Sequence, residues 1–196
     1  MFANLILGFG LTVSIAAYIV YFFAALKSII PNRWSWLIWS AATAAEAITY
    51  NALNPNELQS VILGVAAVST AAITLKIWTK SVWLRPTQTE LVSVVICATA
   101  IALWVVFKLT WWAHILVVVA VPIAFIPTWK DAWASPNKES YLPWLLWSIG
   151  DGLTVLLTTI HLRNPFEELL YTVVEFLSHL TVFAIVILKR KKGGSV

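Results

Sequence analysis

Charge is scarce in this chain and cysteine almost absent. Only 11% of its 196 residues are Asp, Glu, Lys or Arg, where a soluble domain carries roughly 25%, so composition excludes an ordinary water-soluble fold. The single cysteine, Cys97, lies in an apolar run, which excludes an internal disulfide and any cysteine-based metal site. No His-Glu-x-x-His pair and no Gly-x-Ser-x-Gly elbow occurs, so zinc-protease and serine-hydrolase chemistry have no starting point. Neither an enzyme nor a bound metal or cofactor is expected. The last apolar stretch, Glu168 to Leu188, has no lysine, which removes the attachment point a retinal pigment needs. The first stretch lacks the basic n-region and cleavage site of a signal peptide. It runs about 22 residues, against ~7–15 for an h-region, so it is expected to persist as a span.

What is present is apolar length. The chain is 60% hydrophobic with a mean hydropathy of +0.84. Crossing a bilayer takes roughly 20 helical residues, and seven stretches qualify: 5–26, 34–53, 58–78, 90–107, 110–129, 141–160 and 168–188. Turn residues separate them at Pro31-Asn32, Asn54-Pro55, Arg85-Pro86, Ser135-Pro136-Asn137 and Asn164-Pro165, with Lys108 as the weakest break. The expected fold class is an all-α membrane protein of seven transmembrane helices.

Basic residues orient it. Lys27, Arg33, Lys76, Lys80, Arg85, Lys130, Lys138 and the terminal Lys189-Arg190-Lys191-Lys192 make eleven on one side, against Lys108 and Arg163 on the other. The excess belongs in the cytoplasm, which puts the N-terminus outside and the C-terminus in the cytoplasm. The terminal run reads as an anchor on the lipid surface and not as a nucleic-acid patch. Of twelve tryptophans, Trp34, Trp36, Trp78, Trp83, Trp129, Trp133 and Trp144 fall near the cytoplasmic ends of spans, and Trp104, Trp111 and Trp112 near the outer ends. They are expected as interfacial belts.

The chain echoes itself. Trp36-Leu-Ile-Trp39-Ser40 is answered by Trp144-Leu-Leu-Trp147-Ser148, and Asn54-Pro55-Asn56-Glu57 by Asn164-Pro165-Phe166-Glu167, at offsets of 108 and 110 residues. Two related halves follow: a three-helix repeat over 1–80, a linker helix over 81–108, and a second three-helix repeat with its basic tail over 109–196. Because the linker supplies an odd crossing, the repeats run parallel, in a 3+1+3 arrangement. A cavity between such halves is where a transporter binds its solute.

Phe125-Ile-Pro127-Thr128-Trp129-Lys130-Asp131-Ala-Trp133, followed by Pro136-Asn137-Lys138-Glu139-Ser140, resembles half of a SWEET or PQ-loop transporter. The likeness extends through Pro31-Asn-Arg-Trp-Ser-Trp36 to uncharacterised bacterial seven-span proteins of SWEET-like organisation, and nicotinamide riboside transporters resemble the same architecture. The resemblance implies a proline hinge in the first helix of each repeat. Pro127 takes that position in the second repeat, Thr128 stands where the motif has glutamine, and Val20 replaces the first proline.

Ionisable groups inside spans cost several kcal/mol unless they face protein or water, so each is a functional candidate. Helical spacing aligns Trp144, Trp147, Asp151, Thr154 and Thr158 on one face of the sixth span, and the echo maps them onto Trp36, Trp39, Thr43, Glu46 and Tyr50. The alternative for Asp151 is a structural hydrogen bond to backbone beside Gly150 and Gly152. Tyr171, Glu175 and His179 fall at i, i+4 and i+8 of the last span, where Glu175 and His179 can pair as a proton relay or as a static clamp. His114 is expected at the outer interface, His161 in a solvated loop, and Tyr18 and Tyr21 either along a cavity or in packing.

The sequence therefore points to a transporter of a small neutral or cationic polar solute, sugar- or vitamin-like, with proton linkage open, working by rocking of two pseudo-symmetric helix bundles. Its site would be Thr43, Glu46, Tyr50, Asp151, Thr154, Glu175 and His179, and its partners the solute, the bilayer and a second copy of the chain. The competing reading is a membrane-embedded interaction or assembly subunit without transport.

Overall fold

The computed structural model describes residues 2–27, 32–53, 58–79, 85–161 and 165–193. They form seven α-helices: α1 (Phe2–Lys27), α2 (Arg33–Leu53), α3 (Leu58–Trp78), α4 (Gln88–Val105), α5 (Thr110–Ala134), α6 (Tyr141–His161) and α7 (Pro165–Gly193). A 3-10 turn, Pro136–Lys138, joins α5 to α6. Six are long and apolar enough to cross a membrane, as expected of an integral membrane protein. The exception is α2, where Ser35, Thr43, Glu46 and Thr49 dilute the apolar content.

The surface pattern is inverted relative to a soluble bundle. Leu5, Phe9, Ile19 and Phe23 of α1 point outward, whereas Ala17 and Ala25 are buried. Large apolar side chains on the outer face suit a helix solvated by lipid, and the small Ala17 and Ala25 let its inner face pack closely around the buried Tyr21.

The helices divide into two compact units. The first joins α1 to α6, α7 and the end of α5 from Thr128, and the second runs from Pro31 to Pro127. These units follow contact, whereas the boundaries 1–80, 81–108 and 109–196 follow the sequence echo, which is a relation of symmetry. The Asn54–Glu57 side of the second echo lies outside the described residues.

In the first unit, α6 approaches α1 closely. A Cβ on Gly150 would meet the Gly10 carbonyl at 3.2 Å and run into the Ser14 hydroxyl. Two residues on, a Cβ at Gly152 would meet the Phe176 ring of α7 at 3.2 Å. The glycines flanking Asp151 thus let two neighbours pack against α6.

In the second unit, Asn32 caps α2, its Oδ1 accepting from the amides of Trp34 (2.9 Å) and Ser35 (3.1 Å). Thr74 of α3 donates to the Trp36 carbonyl (2.8 Å), tying α3 to α2. A capping box opens α4, with Thr87 and Glu90 each accepting from the other's backbone N–H. Glu90, Ser93, Cys97 and Ala100 form its buried stripe, while Thr99 faces outward. The weak break at Lys108 is real. Lys108 adopts φ 57°, and the Leu109 amide donates back to the Leu103 carbonyl (3.0 Å), a left-handed stop to α4.

Two expectations require correction. Trp36 and Trp144 are not interfacial anchors: they are 2% and 1% exposed, and Trp39 and Trp147 are buried with them. The echoed tryptophans are core residues, which places them with packing rather than with the lipid boundary. Trp78, Trp111, Trp112 and Trp133 are exposed as a belt requires, and Trp83 lies outside the described residues. The basic tail is not simply a lipid anchor either. Helix α7 continues through it, and Arg190 donates to the carbonyls of Pro136 and Glu139.

Candidate functional site

Within the first unit, α6 and α7 bring together side chains that the sequence carries on separate helices. Asp151 Oδ2 lies 2.7 Å from His179 Nδ1. The other ring nitrogen, Nε2, lies 3.6 Å from Glu175 Oε2, and the Tyr171 hydroxyl donates to Glu175 Oε1 (3.0 Å). Glu175 and His179 do face each other as the i, i+4 spacing requires, but the shorter partner of His179 is Asp151. Asp151 thus pairs with a neighbouring side chain, and the glycines beside it serve helix approach.

Aromatic rings wall the imidazole. His179 stacks on Trp147 (centroids 5.2 Å apart, planes at 23°) and lies 5.7 Å from Trp144. Tyr18 meets Trp147 edge-on at 5.1 Å, and Tyr21 contacts both indoles at 5.6 Å. Indole faces favour a cation, and both ring nitrogens face carboxylates, so the surroundings suit an imidazolium with two N–H donors. The network sets two acidic side chains against one imidazole. Because the carboxylates approach opposite edges of the ring, the three groups do not converge on a common point, and no metal-holding cluster occurs among the described residues.

Thr154, the other α6 candidate, is buried and donates to the Gly150 carbonyl one turn back (3.1 Å). Thr43 does the same with the Trp39 carbonyl (2.6 Å). Both hydroxyls are spent on their own helix, where only their lone pairs are left for a ligand. Tyr50 is buried at 2% exposure.

The second unit holds a separate pair. Glu46 of α2 and His114 of α5 are 1% and 0% exposed, with Oε2 3.0 Å from Nδ1. The contact is at ion-pair distance but off the line of a straight hydrogen bond. His114, expected at the outer interface, is instead fully buried; its apolar neighbours Ala113 and Val117 disguise it in the sequence. His161 ends α6, and its side chain lies outside the described residues.

Below the α6–α7 network, the α5–α6 loop forms a polar latch. Glu139 Oε1 accepts from the Trp144 indole and the Ser140 amide, each at 3.1 Å. Arg190 grips the loop backbone and lies 5.7 Å from the Tyr141 ring, while Lys189 Nζ sits 3.5 Å over Trp133. Burial pushes the Glu139 carboxyl up from 4.5 to about 7. The Asp131 charge adds to that, and the two hydrogen bonds and Arg190 oppose it. Trp144 thus touches both the loop carboxyl and the His179 ring.

Prolines 122 and 127 both lie inside α5, and each removes a backbone donor from the helix ladder. The division between the compact units falls immediately after Pro127.

No family model, curated protein or solved structure matches this chain.

Proposed function

We propose that this protein is an integral membrane transporter of a small polar solute, neutral or cationic, with proton linkage through His179. The observation that carries the reading is the Asp151–His179–Glu175 network inside an apolar helical unit. Ionisable groups at such depth are expensive, and they are commonly found along solute or proton paths. The surplus of acidic side chains and the indole walls favour a cation or a hydroxyl-rich neutral solute over an anion.

The finer parts of the reading rest on the sequence. Seven spans include the less apolar α2, whose Glu46 would sit within the bilayer. Eleven basic residues on one side support an outer N-terminus and a cytoplasmic C-terminus in the plasma membrane. The paired Trp-x-x-Trp-Ser segments support parallel three-helix repeats in a SWEET-like 3+1+3 plan. Pro127 serves as the hinge, a role its position at the edge of a compact unit supports.

The test is uptake into proteoliposomes, using radiolabelled monosaccharides, N-heterocyclic vitamins and small amines with and without an imposed pH gradient. Asp151→Asn preserves shape and an acceptor for His179, so it should fold normally while losing uptake. Normal transport by Asp151→Asn, or no uptake of any probe by well-folded protein, overturns the reading; the second result favours an assembly subunit. Reporters after Val196 and between Asn54 and Asn56 should lie on opposite faces, and finding both on one face removes the seven-span topology.

A further inference from the structure

Helix α7 carries its basic run in helical register, so successive side chains leave it about 100° apart and meet different surroundings. Arg190 turns inward to the carbonyls of Pro136 and Glu139. Lys189 lies against α5, its Nζ 3.5 Å over the Trp133 ring, and Lys191 is exposed. Two more lysines stand at the same end of the first unit. Lys130 is exposed on α5 one turn before Trp133, and Lys138 is exposed in the 3-10 turn against which α7 packs.

Each lysine offers three N–H donors and no acceptor. Among the described residues, no hydrogen bond or ion pair engages the ammonium groups of Lys130, Lys138, Lys189 or Lys191. The acids at this end are Asp131, which is exposed, and Glu139, which is turned to the Trp144 indole and the Ser140 amide. Positive charge is therefore in excess here and directed outward. The same patch borders apolar surface: Trp133 and Leu188, which immediately precedes Lys189, are each 60% exposed. A ligand that answers both features is anionic at one end and apolar at the other.

We propose that Lys130, Lys138, Lys189 and Lys191 hold the headgroup of an anionic phospholipid, whose glycerol and first acyl carbons lie along Trp133 and Leu188. A soluble phosphate would answer the charge but leave the indole and the leucine unused. The bound lipid ties α5, the 3-10 turn and α7 together from outside, as Arg190 does from inside. The site stands whether or not the protein moves a solute.

The experiment is native mass spectrometry of the full-length protein in neutral detergent, titrated with phosphatidylglycerol and separately with phosphatidylcholine. One phosphatidylglycerol should bind ahead of all others and well ahead of phosphatidylcholine. A basic residue at a lipid surface contributes about fivefold in affinity, so Lys130→Gln with Lys189→Gln should weaken that first step about 25-fold. Lys76→Gln with Lys108→Gln removes the same charge from the second unit and should change the first step by about twofold or less. Equal weakening by the two pairs, or equal affinity for the two lipids, overturns the proposal. Inorganic phosphate, compared with chloride at matched ionic strength, should not displace the lipid. Displacement assigns the lysines to a soluble anion and overturns the proposal equally. If the Lys130→Gln, Lys189→Gln protein does not fold, quenching by acyl-brominated lipids in nanodiscs decides. The Trp133 contribution, taken as native minus Trp133→Phe, should be quenched more by brominated phosphatidylglycerol than by brominated phosphatidylcholine at the same mole fraction. Equal quenching overturns the proposal.

Discussion

Glu139→Gln tests the latch between the α5–α6 loop and α7. In the folded protein the Glu139 carboxyl titrates at about 7, above its ordinary 4.5, chiefly because burial disfavours the charge. The folded state therefore holds this proton more tightly than the unfolded chain. The resulting stability is complete below pH 4.5 and is lost as pH rises through about 7. A rise of that size corresponds to roughly 3 kcal/mol if fully expressed, and the partial exposure of Glu139 lowers it to ~1–2 kcal/mol. Glutamine keeps the oxygen that accepts from the Trp144 indole and the Ser140 amide, and it never ionises. Thermal unfolding in detergent, followed by tryptophan fluorescence, should give matching midpoints for the two proteins at about pH 4. Towards pH 8 the native protein should fall behind the variant by ~2–8 °C. Taking the difference cancels every other titrating group. Parallel curves, or a native protein that gains on the variant as pH rises, would refute the account of Glu139.

Asp151→Ala should cost ~2–4 kcal/mol by leaving His179 without its 2.7 Å partner, whereas Asp151→Asn should cost ~1 kcal/mol or less; equal losses in unfolding assays would mean that the hydrogen bond matters little. Gly150→Val should destabilise the protein by ~1–3 kcal/mol through the Gly10 carbonyl and Ser14. Gly8→Ala, with nothing within 4 Å of the new Cβ, should be neutral or stabilising. Lys108→Gly should raise stability by ~1 kcal/mol, because the left-handed φ of 57° is free to glycine and costly to lysine; an unchanged midpoint would count against strain at this turn.

Helices were the legible part of this sequence, since apolar length and turn residues are local properties. The seven predicted segments differ from the observed ones mainly at the ends, where α5 runs on to Ala134 and α7 to Gly193. The Thr87-x-x-Glu90 cap is equally local, and it opens α4 just ahead of the apolar run expected from residue 90. Asp151, Glu175 and His179 were each legible as ionisable groups on apolar helices. Their meeting was not, since it depends on which faces of α6 and α7 turn together. His114 was misplaced for the same reason. Its partner Glu46 is 68 positions away, and only packing makes one of them the answer to the other. The echoed tryptophans misled because an indole serves a lipid boundary and a crowded helix contact equally well, and composition cannot separate the two.

The first compact unit has a consequence for biosynthesis. Its α1 is made before the other helices of the unit, which come after the 97 residues from Pro31 to Pro127. At a synthesis rate of ~5–20 residues per second, α1 resides in lipid for roughly 5–20 s without its partners. It is suited to that delay, because from Phe2 to Leu26 it carries no Asp, Glu, His, Lys or Arg. The groups of its α6–α7 network arrive later, with Asp151 on α6 and then Glu175 and His179 on α7. Asp151 then waits only 28 residues of synthesis for His179, a far shorter interval than the one α1 spends without its partners.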